Sequence, residues 1–194
     1  MLIQIDPSVV MKAQRGDEEA FSVIVRTYHT PIFNYVLRSV GDREHAEDLT
    51  QDVFLRVWRA LPKYAFRAKL STWIFQVAKN VVLDDIRSKK NRLQPVELVP
   101  ELAPAAPEAP VEQADAIRAL WVAVEQLSVD LKTALVLRDV IGLSYNEIAA
   151  TLDIPLATVK WRIYSARNEV QLALAEAGIT FGSTDEPGAI AETG

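Results

Sequence analysis

Apolar residues recur at spacings of three and four along most of the chain, and no stretch alternates apolar and polar residues as a half-buried strand would. The pattern predicts an all-α protein. Near the start, Asp6-Pro7 reads as a helix cap followed by a first-turn proline, and Gly16 as the stop of that short helix. Asp17, Glu18 and Glu19 open the next helix. Its apolar stripe of Phe21, Ile24, Val25, Tyr28, Ile32 and Val36 crosses Pro31, where a kink or break is expected. Gly41-Asp42 punctuates, and a further helix runs to about Leu61, ahead of Pro62. The segment PKYAFRAKL reads as a loop, Ser71 or Thr72 as a cap, and Trp73 to about Lys90 as a helix.

The pattern then lapses. Five of the ten prolines, Pro95, Pro100, Pro104, Pro107 and Pro110, fall in a stretch rich in Ala and Glu with no Lys, Arg or Gly. Repeated proline blocks helix propagation and favours extended backbone, so 93–112 reads as a semi-rigid linker between an N-terminal unit, 1–92, and a C-terminal one, 113–177. Helical periodicity returns near 113–127, 129–141 (ended by Gly142), 145–152 and 155–175. The last 17 residues, GITFGSTDEPGAIAETG (178–194), read as a mobile tail, too short to form a further folded domain.

Three helical surfaces carry more than a core requires. On a wheel for 46–61, Ala46, Leu49, Val53, Val57 and Ala60 share one side, extended by Phe54 and Leu61. Asp48, Gln51, Asp52, Leu55 and Arg59 lie opposite. An acidic stripe with a leucine at its centre suits a protein partner better than a merely solvated face, since interfaces combine an apolar centre with a charged rim. On the helix from Trp73, Ile74, Val77, Ala78, Val81, Val82 and Ile86 fill one side. Gln76, Lys79, Asn80, Leu83, Asp84 and Arg87 fill the other, with Trp73 at the edge. Aromatics beside cations suit stacked bases and phosphates; Trp73 is equally compatible with a core position. The third surface lies in LSYNEIAATLDIPLATVKWRIYSAR, which reads as a helix-turn-helix. Ser144 and Glu147 form a capping box, Ile148, Ala149 and Leu152 face inward, and Asp153-Ile154 makes the turn. In the second helix Leu156, Val159, Ile163, Ala166 and Val170 are expected to be buried. Lys160, Trp161, Tyr164 and Asn168 point away, which suits a helix in the DNA major groove; a hairpin used only for packing is the alternative.

Composition narrows the chemistry. Hydrophobic residues make up 49% and charged ones 24%, enough apolar content for a buried core. No apolar run approaches the roughly 20 residues of a membrane helix, and the N-terminus shows no export signal, so a cytoplasmic protein is expected. With no cysteine there is no disulfide, thiolate metal site or cysteine nucleophile, and the two histidines, His29 and His45, read as solvated helix residues rather than metal ligands. The net charge of -5 argues against a simple basic nucleic-acid binder, but the acidity is concentrated in the linker and tail. By contrast Arg67, Lys69, Lys79, Arg87, Lys89, Lys90 and Arg92 crowd together. An enzyme is not expected: the seven glycines form no phosphate loop, and the neighbouring Asp84 and Asp85 diverge by about 100° on their helix.

Taken together, AEDLTQDVFLRVWRAL (46–61), FRAKLSTWIFQVAKNVVLDDIR (66–87) and LSVDLKTALVLRDVIGLSYNEIAATLDIPLATVKWRIYSAR (127–167) resemble, in order, the signatures of the extracytoplasmic-function group of bacterial RNA polymerase sigma factors. The resemblance implies a transcription initiation factor without cofactor, metal or small-molecule substrate. Its 1–92 unit would be region 2 and its 113–177 unit region 4. By the same resemblance Asp48, Gln51, Asp52 and Leu55 would dock on the clamp helices of the polymerase large subunit. Phe66, Arg67, Lys69, Trp73, Asn80 and Arg87 would recognise and open the promoter minus-ten element. Lys160, Trp161, Arg162, Tyr164 and Arg167 would contact the minus-thirty-five element. An anti-sigma factor is a further possible partner. The chain departs from the group at Trp161, where a small polar residue is common, and at Ser165, where a basic one is frequent. A linker of 93–112 reaches at most about 70 Å, comparable to two turns of B-DNA, so both units could engage one promoter. The alternative function is a stand-alone helix-turn-helix regulator with a ligand- or partner-binding N-terminal unit; such a regulator has no need of the acidic stripe around Leu55.

Overall fold

A computed structural model describes residues 3–91 and 111–179. Among them are eight α-helices and no strand, in agreement with the all-α expectation: α1 (Pro7–Gln14), α2 (Glu18–Val40), α3 (Arg43–Ala60), α4 (Leu70–Asn91), α5 (Val111–Gln126), α6 (Val129–Leu135), α7 (Tyr145–Leu152) and α8 (Leu156–Glu176). The proposed tail beyond residue 179 and nearly all of the proposed linker lie outside the described residues.

Local chemistry sets the helix starts. The Asp6, Asp17 and Asp42 carboxylates accept from the backbone N–H of Ser8 (2.7 Å), Ala20 (2.9 Å) and His45 (2.6 Å), each satisfying a first-turn donor that has no intrahelical partner. Gly41 then closes α2 in the left-handed region at φ 81, where a side chain would be strained.

Two expectations here need correction. Pro31 does not break α2, which continues as one 23-residue helix. A proline inside a helix removes one hydrogen bond and costs about 3 kcal/mol; burial of Tyr28, Ile32, Tyr35 and Val36 on both sides of it offsets that loss. Neither Ser71 nor Thr72 caps α4. The helix begins at Leu70, with the Lys69 carbonyl accepting from Trp73 N–H at 3.1 Å, and both hydroxyl residues are buried in the first turn.

In the C-terminal half the helix expected over 129–141 is α only to Leu135; Val136–Val140 forms a wider π turn that buries Val136 and Leu137. The capping box forms as expected, Ser144 N–H donating to Glu147 Oε2 (2.9 Å) and Glu147 N–H to Ser144 Oγ (3.3 Å). Asp153 makes the turn in the left-handed conformation, φ 56, which short polar side chains tolerate. In α8, Val159, Ile163, Ala166 and Val170 are buried as expected, but Leu156 is exposed. A wheel gives its direction, not whether another helix lies opposite the first turn.

Two apolar cores result. The smaller joins Ala123, Val124, Leu127, Leu131 and Leu135 to Ala166, Val170 and Leu174. The larger is built from α1 to α4 and continues into the C-terminal half through Ala134, Val136, Leu137, Ile141, Leu143, Ile148, Val159 and Ile163. The segments on either side of the proline-rich stretch are therefore in direct contact, with α4 packed on α7.

Candidate functional site

On α3 the core side is Ala46, Val53, Phe54 and Val57, and the opposite side presents Asp48, Gln51 and a leucine, Leu55, that is 53% exposed. Asp52 differs from its neighbours: its carboxylate binds Arg56 Nε at 3.0 Å, and Arg56 NH1 reaches Asp84 of α4 at 3.1 Å. Beside this stripe a groove of about 560 Å³ runs between α2 and α3, lined by Phe21, Val25, His29, Phe54, Leu55 and Trp58 among others. The rings of Phe21 and Trp58 meet at 4.7 Å, and His29 stacks parallel to Phe54. The sequence pattern places Phe21 in the apolar stripe of α2 and His29 on a solvated face, and gives neither them nor Trp58 a part in a binding surface. The signal available was Trp58 three residues after Leu55, one helical turn along the same surface. His29 is exposed, as expected, whereas His45 is not simply solvated: its Nε2 lies 2.9 Å from Asp85 Oδ1, tying α3 to α4.

The loop before α4 is an aromatic cluster. Tyr64 is buried, its hydroxyl donates to Ala68 O at 2.6 Å, and its ring contacts Phe66 (4.8 Å) and Trp73 (5.0 Å). Gln14 of α1 pins the loop from behind, donating to the carbonyls of Leu61 (3.0 Å) and Tyr64 (2.7 Å). Phe66 is 45% exposed and sits at φ 56. A left-handed phenylalanine costs free energy that the surrounding bonds must offset, and such strain marks places where a side chain is held out for use. Trp73 is half-buried between loop and core; Arg67, Asn80 and Arg87 are exposed. Tyr64, the residue on which the cluster is built, was not singled out from the sequence, although the Tyr64-x-Phe66 spacing pointed to it.

Lys69, also in this loop, is engaged: its Nζ lies 2.8 Å from Glu147 Oε1 of α7. Burial acts to raise the Glu147 pKa, but the bonds from Lys69 and from the Ser144 N–H and hydroxyl outweigh it and hold the carboxyl at about 2. Nearly two turns into α4, Gln76 Nε2 donates to Ala150 O of α7 at 2.7 Å.

Along α8, Trp161 and Tyr164 are 61% and 65% exposed, and Lys160 beside them is exposed too. The other two candidates are tied down. Arg162 NH2 binds Asp130 of α6 at 2.6 Å, and Arg167 grips Asp139 of the π turn through two nitrogens, at 3.1 and 2.7 Å. The candidate residues thus form three surfaces, on α3, on the loop with α4, and on α8. Among the described residues no group of His, Asp or Glu is placed to hold a metal ion, and no helix is long and apolar enough to cross a membrane.

Comparison with known proteins follows the same division. Residues 24–92 match the sigma-70 region 2 family and residues 117–170 the sigma-70 region 4 family. The chain is 30% identical over 180 residues to the RNA polymerase sigma-H factor of Pseudomonas aeruginosa, covering 87% of this chain and 93% of that protein. It is 29% identical over 176 residues to the extracytoplasmic-function RNA polymerase sigma-E factor of Escherichia coli K12, covering 85% and 92%. In fold it is similar to the sigma factor RpoE of Bartonella quintana, solved with the anti-sigma factor NepR, at a TM-score of 0.70 and 22% identity over 80% of this chain and 96% of that one.

Proposed function

Because the chain belongs to the extracytoplasmic-function group of RNA polymerase sigma factors, we propose a division of its promoter-directing work among the three surfaces. As a member of that group it is a transcription initiation factor that binds core RNA polymerase and directs it to promoters. The unit 1–92 is assigned as region 2, 93–112 as the linker, 113–177 as region 4 and 178–194 as a tail. The α3 surface is assigned to the polymerase clamp helices, with Asp48, Gln51 and Leu55 at its centre. The α2–α3 groove, apolar along Phe21, Val25, Phe54, Leu55 and Trp58 with Glu18 at its edge, extends this contact, since such a groove suits an apolar side chain on a partner helix.

The loop and α4 are assigned to the minus-ten element. Phe66, held out over Tyr64, offers a stacking face for an unpaired base; Arg67 and Arg87 supply phosphate contacts, Lys69 does so only by leaving Glu147, and Trp73 and Asn80 flank the strand junction. Helix α8 is assigned to the minus-thirty-five element through Lys160, Trp161 and Tyr164, with Arg162 and Arg167 reaching DNA only by leaving their carboxylate partners. The work is binding and strand separation rather than catalysis of a bond change, and it places the protein with polymerase in the cytoplasm. An anti-sigma factor is a further candidate partner, supported by the fold shared with a sigma factor solved with one.

The observation that carries the region 2 assignment is the strained, exposed Phe66 on its aromatic base. It is tested by open-complex formation on a duplex promoter and on the same promoter with a pre-melted bubble. Phe66→Ala is expected to impair the first far more than the second; equal loss on both would assign the residue to folding or docking instead.

A further inference from the structure

The loop that presents Phe66 has no regular hydrogen-bond ladder to hold its shape. Residues 64–69 are neither helix nor strand, so the conformation depends on side chains that bond the loop backbone. One of them belongs to the loop: the hydroxyl of buried Tyr64 donates to Ala68 O. The other lies 50 residues away in sequence. Gln14, the last residue of α1, directs its side-chain amide nitrogen at two carbonyls, Leu61 O at 3.0 Å and Tyr64 O at 2.7 Å.

The two carbonyls are the two ends of one tight turn. Leu61 O also accepts Tyr64 N–H at 3.0 Å, closing the turn that follows α3, and Tyr64 O is the carbonyl by which the chain leaves it toward Phe66. A bond at 2.7 Å fixes the peptide plane between Tyr64 and Ala65, while the Tyr64 hydroxyl fixes Ala68 O on the far side of Phe66. Phe66 lies between these two anchors, at φ 56 with its ring turned outward. A phenylalanine seldom adopts that backbone conformation unless the surrounding structure imposes it.

The residue type at position 14 matters for the same reason. A primary amide has two hydrogens on one nitrogen and can serve both carbonyls at once; a carboxylate of the same size offers no donor. Gln14 is itself well placed to act as an anchor. It is half-buried, it follows the buried Val10 and Ala13, and its helix is capped by Asp6.

We infer that Gln14 is a positioning residue for base capture: from α1 it sets the conformation in which Phe66 is offered to an unpaired base, acting through the Tyr64 carbonyl from behind the loop. The inference rests on the assignment of Phe66 to the minus-ten element.

The test uses the full chain bound to core polymerase, with open-complex formation measured on a duplex promoter and on the same promoter carrying a pre-melted bubble. Gln14→Ala should slow opening of the duplex by about tenfold, the scale set by losing two hydrogen bonds, and leave the bubble template nearly unaffected. Gln14→Glu, equal in size but facing two carbonyls without a donor, should be at least as slow. Both variants should bind core polymerase normally. In a Phe66→Ala background, Gln14→Ala should add no further loss, because it acts only through that ring. A full additional loss in that background, equal loss on both templates, or duplex opening that Gln14→Glu leaves intact would each overturn the inference. The Phe66→Ala chain separates the two readings. If it opens the duplex normally, the assignment of the loop fails and the inference with it; if it is impaired while both Gln14 variants are not, the assignment stands and the positioning role fails.

Discussion

At the scale of single residues, exposure decides which side chains are free to work. Trp161 is 61% exposed, so Trp161→Ser should leave the melting temperature almost unchanged, within the roughly 0.5 kcal/mol typical of surface substitutions. It should alter preference at one upstream base pair by about 1–3 kcal/mol if the indole reads that pair. Binding to a panel of upstream-element variants, with thermal melts alongside, checks both parts; a loss of several kcal/mol in stability would make Trp161 a core residue. Lys160→Ala, acting on phosphate, should instead weaken binding across sequences and lower the salt slope by about 1. The sequence was informative here because a wheel gives direction: Lys160, Trp161 and Tyr164 are exposed as expected. It did not indicate that Arg162 and Arg167 are paired with Asp130 and Asp139, since those partners come from other elements. Nor did it indicate the left-handed Phe66, a conformation imposed by the bonds around Tyr64 and not by any local preference of phenylalanine.

At the scale of elements, the caps and stripes that organise each helix were legible and the ways in which helices meet were less so. Asp6, Asp17, Asp42 and Ser144 act as caps because the hydrogen bond each makes is local. The continuity of α2 through Pro31 depends instead on burial against other helices, which no window of sequence contains. For α3, Asp48→Arg with Leu55→Arg should abolish binding to core polymerase while circular dichroism and melting stay nearly unchanged. Asp52→Arg also breaks the exposed Asp52–Arg56–Asp84 network, adding up to about 1 kcal/mol of destabilisation. For α7, Ser144→Ala should cost about 1 kcal/mol in denaturant unfolding. The contact between α7 and the N-terminal unit should also respond to acid. Glu147 has its pKa lowered to about 2 by its partners, so the stabilisation it gives is fully present above its ordinary value of 4.5 and is lost as pH falls toward 2. Denaturant unfolding of the full chain at a series of pH values should report this loss, and Glu147→Gln should remove that part of the pH dependence.

At the scale of the whole molecule, periodicity, the proline-rich interruption and two ordered signatures were enough to indicate an all-α chain of two functional halves. That the halves share a core was not legible, because Leu137, Ile141 and Ile148 read equally well as the interior of the C-terminal half alone. The account holds that the chain supplies promoter specificity to a polymerase that lacks it, with one half at each promoter element. Run-off transcription with purified core polymerase on a pool of promoter fragments measures this directly. The account predicts discrete transcripts only when the chain is present, from fragments sharing two elements at a fixed spacing, and their loss when that spacing changes by half a helical turn. Transcripts that do not depend on the chain, or selection of fragments by the upstream element alone, would contradict it.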